Sequence, residues 1–164
     1  MKWIADNELQ QAYGYAKSLS NDHHQAKDMV HNAYLKMIEK NDVTISNTQA
    51  YLFRCIRNNF IDKTRFDHRW SLIMDEDDDS AMDSCINHLE SITINQDLLK
   101  KLWATLKPLE RELLYLWAIE EYTIDEISDL TNTARGTLLS RVHRIRKKIS
   151  NTDIMTEVSY EITY

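Results

Sequence analysis

Residues 123–149, TIDEISDLTNTARGTLLSRVHRIRKKI, decide the fold. Thr123 and Glu126 make a T-x-x-E pair, the spacing at which two side chains cap a helix start reciprocally. Ile124, Ile127 and Leu130 then recur at helical spacing on one face. Thr131-Asn132-Thr133 interrupts the pattern with residues that favour turns, and Asn tolerates a left-handed backbone. From Ala134 onward, Leu138, Val142, Ile145 and Ile149 form the stripe of a second helix. Arg135, Arg141, Arg144, Arg146, Lys147 and Lys148 take much of its remaining surface, with no acid between Leu130 and Ser150. Helix, tight turn, basic helix is a layout that sets a recognition helix in a DNA major groove. Basic residues at a helix C-terminus also complement its dipole, so a plain helical pair shares this outline.

Around this stretch the chain is short of backbone punctuation: its 164 residues hold two glycines and one proline. Little strand-like alternation occurs before residue 151, which predicts an all-α protein with short connections. No run approaches the ~18 apolar residues of a membrane span, and MKWIADNELQ lacks a signal-peptide core. The expected location is cytoplasmic, without membrane insertion. Cys55 and Cys85 stand far apart, matching neither a disulfide framework nor a zinc-ligand spacing. The net charge of −6 is uneven along the chain: residues 71–97 hold eight acids and no base, whereas residues 1–70 and 98–150 are each mildly basic. Nucleic acid responds to the local field, so the acidic total does not exclude it as a partner.

The pattern divides the chain into a helical block at 1–70, an acidic linker at 71–97, a second helical block at 98–150 and a tail at 151–164. In the first block, Leu9, Ala12, Tyr13, Ala16 and Leu19 predict one helix ending near Ser20-Asn21-Asp22. A second is expected from about His24 to Lys40. A third runs from Thr48 to about Arg69, with Tyr51, Leu52, Cys55, Ile56, Asn59, Phe60 and Lys63 along one face. In the second block, Leu99, Leu102, Trp103 and Leu106 mark a helix, and Pro108 suits the first turn of the next. Leu109, Leu113, Leu116 and Trp117 line that helix's expected buried face.

Catalytic signatures are missing: no Gly-rich phosphate loop, nucleophile elbow or H-E-x-x-H occurs. Asp75-Glu76-Asp77-Asp78-Asp79 fails as a calcium loop, because Ser80 falls where glycine belongs and Ile86 where the bidentate glutamate belongs. His23, His24 and His31 lack a matching ligand set, so neither metal nor cofactor is expected. The segment from Tyr51 to Arg65 interleaves aromatics with Arg and Asn. Aromatics stack on unpaired bases, Arg and Lys meet phosphate, and Asn reads a base edge. The alternative is that Phe53, Ile56 and Phe60 are core and the charges merely solvated.

These blocks resemble the two domains of an ECF-type sigma factor, the smallest class of the sigma-70 family. The likeness runs from Tyr15-Ala16-Lys17-Ser18-Leu19 through Asp28–Met37 into Ala50–Asn58. It resumes with Leu106-Lys107-Pro108-Leu109-Glu110-Arg111-Glu112-Leu113-Leu114 and extends through Gly136–Arg144. The resemblance implies a non-enzymatic factor of two small helical domains, regions 2 and 4. Such a factor binds the largest and second-largest subunits of core RNA polymerase and directs them to promoter DNA.

By the same resemblance, Asp28, Val30, His31, Asn32 and Leu35 match the polymerase-docking helix. Tyr51, Arg54, Asn58, Lys63 and Arg65 match the helix that meets the −10 element. Asp42, Thr44, Ser46 and Asn47 belong to the loop that captures a flipped base, which must find hydrogen bonds and a stacking surface. Arg135, Thr137, Ser140, Arg141 and Arg144 match the helix that reads the −35 duplex. An anti-sigma factor or a specialised recruiting protein is a further partner class the resemblance allows.

The chain departs from the family pattern at Leu139, where Lys or Arg often faces DNA, and at Glu121-Tyr122, which replaces a glycine-containing turn. His31 and Asn32 stand where Gln and an acid are common, and Tyr51 takes a place often held by Trp. The acidic linker reads either as an RNA mimic in a positive channel or as a solvated tether. In the tail, Val158, Tyr160, Ile162 and Tyr164 alternate as in an added strand, although a chain end without fixed structure fits as well. Two rival functions remain open at this level: a stand-alone helix-turn-helix regulator, and a helical adaptor that holds polymerase without reading DNA.

Overall fold

The computed structural model describes residues 5–40, 45–66 and 96–151, with the side chains of 96–99 and 151 set aside. Seven helices account for nearly all of these residues, and no strand occurs among them: α1 (Asp6–Ser20), α2 (His23–Glu39), α3 (Thr48–Phe66), α4 (Gln96–Thr105), α5 (Pro108–Ala118), α6 (Ile124–Thr131) and α7 (Arg135–Asn151).

Local chemistry sets the boundaries. Asn21, left-handed at φ 53°, ends α1, and its N–H donates to the Lys17 carbonyl. One residue later the Asp22 carboxylate accepts from Gln25 N–H at 2.7 Å and opens α2. Asn47 Oδ1 does the same for α3, accepting from Ala50 N–H at 2.9 Å. Pro108 stands in the first turn of α5, where its missing donor leaves no hydrogen bond unmade. Thr123 and Glu126 form the reciprocal cap expected of them. Glu126 Oε2 accepts from Thr123 N–H at 2.8 Å, and Thr123 Oγ1 from Glu126 N–H at 3.3 Å. Asn132, at φ 50°, makes the tight turn between α6 and α7.

Helices α1–α3 pack mutually into the first block. Ala12, Tyr15, Ala16, Leu19, Met29, Ala33, Leu52, Phe53, Ile56 and Phe60 fill its centre. Tyr15 stacks on Phe53 with ring centroids 4.4 Å apart. In the second block α7 packs on α4, α5 and α6. Leu102, Leu106, Leu109, Leu116, Ile127, Leu138, Val142 and Ile145 fill this centre.

The structure revises several details. Helix α3 is described to Phe66, and the expected continuation to Arg69 lies outside the described residues. Its buried face is Leu52, Phe53, Ile56, Phe60, Ile61 and Thr64. Asn59 is half-buried and Lys63 exposed, because the stripe drifts by one position over five turns. Helix α4 begins at Gln96, two residues before the expected start of the second block. Most of the acidic linker, Asp42 and Thr44, and the strand-like tail lie outside the described residues.

The two blocks are not apart. Helix α1 packs along α5, α3 touches α6, and the buried apolar residues of both blocks form one continuous cluster. Helix α5 is consequently buried on nearly every side: Leu109, Glu110, Arg111, Glu112, Leu113, Tyr115 and Leu116 are all inside.

Candidate nucleic-acid and polymerase interfaces

Four of the five residues matched to polymerase docking are exposed on one face of α2: Asp28, His31, Asn32 and Leu35. Leu35 extends that face, 43 % exposed. These four line a groove with Lys36 and Glu39 of α2 and with Asn59, Asp62 and Lys63 of α3. Val30 differs: it is 8 % exposed and belongs to the core, with its edge in a shallow apolar groove between α1 and α2. Asp28, one turn from the α2 start, carries no packing duty that would keep it from a partner.

The residues matched to the −10 element divide between two places. Arg54, Asn58 and Arg65 project from α3 into a cleft of about 760 Å³ between the blocks. Lys63 lines the groove between α2 and α3 instead. Tyr51 is half-buried beside Cys55, with the Lys40 ammonium 5.7 Å from its ring centroid. Burial, and then the Cys55 neighbour, raise the Tyr51 hydroxyl above its usual range. Ser46 is exposed, and Asn47 already spends its carboxamide oxygen on capping α3.

On α7, Thr137 and Arg141 line the opposite wall of the same cleft. Arg141 is only 5 % exposed. Arg135 is exposed and paired with Asp125 at 3.1 Å, while Ser140 and Arg144 are half-buried. Leu139, at the position where a basic residue was expected, packs partly against the core. Among the described residues no group of three or more His, Cys, Asp or Glu could hold a metal ion. His23 accepts or donates at Tyr13 Oη, 2.5 Å away, and packs edge-on against His24.

A second set of residues, to which the sequence assigned no role, joins the blocks. Tyr15 Oη donates to Glu112 Oε1 at 2.5 Å, and Arg57 Nε donates to the same oxygen at 3.0 Å. Arg111 Nε donates to the Ser18 carbonyl at 2.8 Å and its Nη2 to the Leu19 carbonyl at 3.3 Å. A cation thereby meets the C-terminal end of α1, whose last carbonyls lack helical partners. Tyr115 Oη donates to the Gln11 carbonyl at 3.1 Å. Gln11 and Gln49 both donate to Glu120 Oε2, at 3.0 and 2.8 Å. Burial, reinforced by the Glu112 carboxylate, pushes the Tyr15 hydroxyl well above its usual range and keeps it a donor. The available signal was α5 itself, a short helix with large apolar residues on more than one face.

Comparison with known proteins places this geometry. The family model described as sigma-70 region 2 matches residues 4–70, and the model described as sigma-70, region 4 matches residues 96–149. A solved structure, the sigma factor RpoE in complex with the anti-sigma factor NepR from Bartonella quintana, is similar at 27 % identity and a TM-score of 0.62. The match covers 87 % of this chain and 89 % of that one. No curated protein matches the chain significantly. With regions 2 and 4 in order over most of its length, the chain belongs to the sigma-70 family, as an ECF-type factor acting in transcription initiation. RNA polymerase and promoter DNA are the partners these two domains imply.

Proposed function

We propose that the exposed face of α2, through Asp28, His31, Asn32 and Leu35, docks on core polymerase. Leu35 supplies the desolvated contact, and the polar residues around it supply register. Helix α3, with Tyr51, Arg54, Asn58 and Arg65, meets the −10 element, and the loop carrying Asp42, Thr44, Ser46 and Asn47 holds an extruded base. Lys63, whose side chain lies in the docking groove, serves polymerase or the duplex edge. Arg135, Thr137, Ser140, Arg141 and Arg144 of α7 read the −35 duplex. Phosphate contacts set position, and the few base-edge contacts set sequence.

The factor does no chemistry of its own. Opening the duplex draws on binding energy for flipped bases, each of which must be offered a stacking surface and hydrogen bonds. The acidic residues at 71–97 act in the polymerase as an RNA mimic, and the protein works in the cytoplasm. A partner of the anti-sigma class fits as well, since a structurally similar factor is held by one.

The observation that carries this reading is the union, in one chain, of an exposed α2 face with α3, which presents Arg54 and Asn58, and α7, which carries Arg135, Arg141 and Arg144. Runoff transcription with purified bacterial core polymerase tests it. Adding the chain should give promoter-dependent starts, and Leu35→Asp should weaken core binding by tenfold or more. A stand-alone regulator would instead bind duplex tightly without polymerase. A helical adaptor would keep its activity when Arg141→Glu and Arg144→Glu are introduced.

A further inference from the structure

We propose that Lys40 is a further DNA-contacting residue of this chain: its ammonium, held over the Tyr51 ring, takes the phosphate of the nucleotide whose base stacks on that ring. This rests on the functional reading above, in which Tyr51 meets the −10 element, and adds a residue to which the family resemblance gave no role.

Lys40 closes α2 as its C-terminal cap, at φ −86° and ψ 27°. The chain returns at Asn47, which caps α3 through Ala50 N–H, and the Asn47 carbonyl accepts from Tyr51 N–H at 3.1 Å. Tyr51 therefore stands one turn into α3, and Lys40 Nζ lies 5.7 Å from its ring centroid. That is within the range at which a ring face attracts a cation. A lysine at a helix C-terminus complements the dipole wherever its side chain points, so the dipole alone does not account for its reach across to α3. Lys40 is exposed, and among the described residues no carboxylate pairs with it.

The ring itself is fixed. Its hydroxyl stands against the Cys55 thiol one turn along α3, and it packs partly on the core of the first block. Arg54, exposed and three residues on, sets a second cation beside it on the helix surface. Single-stranded nucleic acid is held by this combination, with an aromatic ring for the base and cations for the backbone around it. A base that stacks on Tyr51 displaces the ammonium from the ring face. The flexible four-carbon stem of lysine lets that ammonium move to the adjoining phosphate, and no ion pair has to break first. Holding the cation near the path of the strand before DNA arrives also lowers the cost of ordering a long side chain on binding.

The test uses holoenzyme of the full-length chain at saturating core polymerase, so that only the promoter step is read. The DNA is a fork-junction fragment of a promoter at which the holoenzyme starts in runoff transcription, its non-template strand single through the −10 element. A fragment of the same promoter ending upstream of that element is the control. Affinity is measured between about 50 and about 200 mM KCl for the parent, Lys40→Gln and Lys40→Arg. Lys40→Gln should weaken fork binding about five- to tenfold and make the dependence of log affinity on log salt shallower by about 0.7, the value for one phosphate on a single strand. Lys40→Arg should restore the parent slope, and the control fragment should keep that slope with all three chains. In a Tyr51→Leu background the loss on Lys40→Gln should shrink to about threefold or less, because the ring no longer places the ammonium.

An unchanged fork slope with Lys40→Gln overturns the phosphate contact and leaves Lys40 an end cap of α2. An equal change of slope on the control fragment overturns its place beside the stacked base, and an equal loss in both Tyr51 backgrounds overturns the part given to the ring. Failure of the parent holoenzyme to start at any promoter is a different result, which overturns the functional reading and this contact with it.

Discussion

Glu121 takes a left-handed conformation, φ 59°, in the short connection after α5. The turn is held by Tyr122 N–H donating to the Leu116 carbonyl at 2.9 Å. A side chain with a Cβ is strained in that region by roughly 1–2 kcal/mol, partly offset because glycine gains freedom in the unfolded chain. Glu121→Gly should therefore raise stability by about 0.5–1 kcal/mol, seen as a higher denaturation midpoint at unchanged slope. A lower midpoint would mean the Glu121 side chain contributes more than the backbone costs. At the same scale, the Asp22 and Glu126 carboxyls are both held below their usual range. In each case the main cause is a backbone N–H donated to the carboxylate. Because these values are lower folded than unfolded, the stabilisation is complete at neutral pH. It is lost as pH falls through the lowered values. Asp22→Asn keeps a good cap without a titrating group, so neutral-pH stability should hold while the acid limb flattens below the usual carboxylate range. An acid limb identical to the parent's would remove Asp22 from the account.

Among the elements, α7 carries the clearest conflict between sequence and expected role. Its stripe of Leu138, Val142, Ile145 and Ile149 is buried as the periodicity requires, and Leu139 leans onto the same core. A half-buried leucine gives up one contact to phosphate or guanine, so −35 reading should be weaker than α7's charge suggests. Leu139→Arg should tighten holoenzyme binding to a −35-containing promoter by roughly tenfold, with the salt slope steeper by about one unit. No change in either quantity would place Leu139 away from DNA. Helix α3 shows the reverse case. Phe53, Ile56 and Phe60 of its aromatic segment are core, which leaves those rings no base to stack on, while Arg54 and Asn58 are exposed on the other side.

At the scale of the whole molecule, the uneven charge is the feature with most consequence. Two mildly basic blocks are joined through a segment of eight acids, and free chain should bind promoter DNA weakly for lack of a large positive field. Replacing Asp75, Asp77, Asp78 and Asp79 with Asn and Glu76 with Gln should change the ratio of abortive to full-length transcripts more than it changes promoter occupancy. Equal transcript ratios with the parent would leave the segment only a tethering role.

Helix existence and type were legible in the amino-acid order alone, because period, capping pairs and turn residues act over four or five positions. Thr123-x-x-Glu126, Asn132 and the α7 stripe needed no tertiary information. The division into two helical blocks and their resemblance to regions 2 and 4 were readable for the same reason. What only the tertiary structure decided is which exposed-looking charges are spent on the protein itself. Arg111 and Glu112 look like solvent-facing residues of an amphipathic helix, and Tyr15 like ordinary core. Their pairing spans nearly a hundred residues, and no local pattern encodes a partner at that separation. Burial of Val30 and the turning of Lys63 toward the groove between α2 and α3 were hidden likewise, since the angle at which helices cross depends on the packing of every side chain between them.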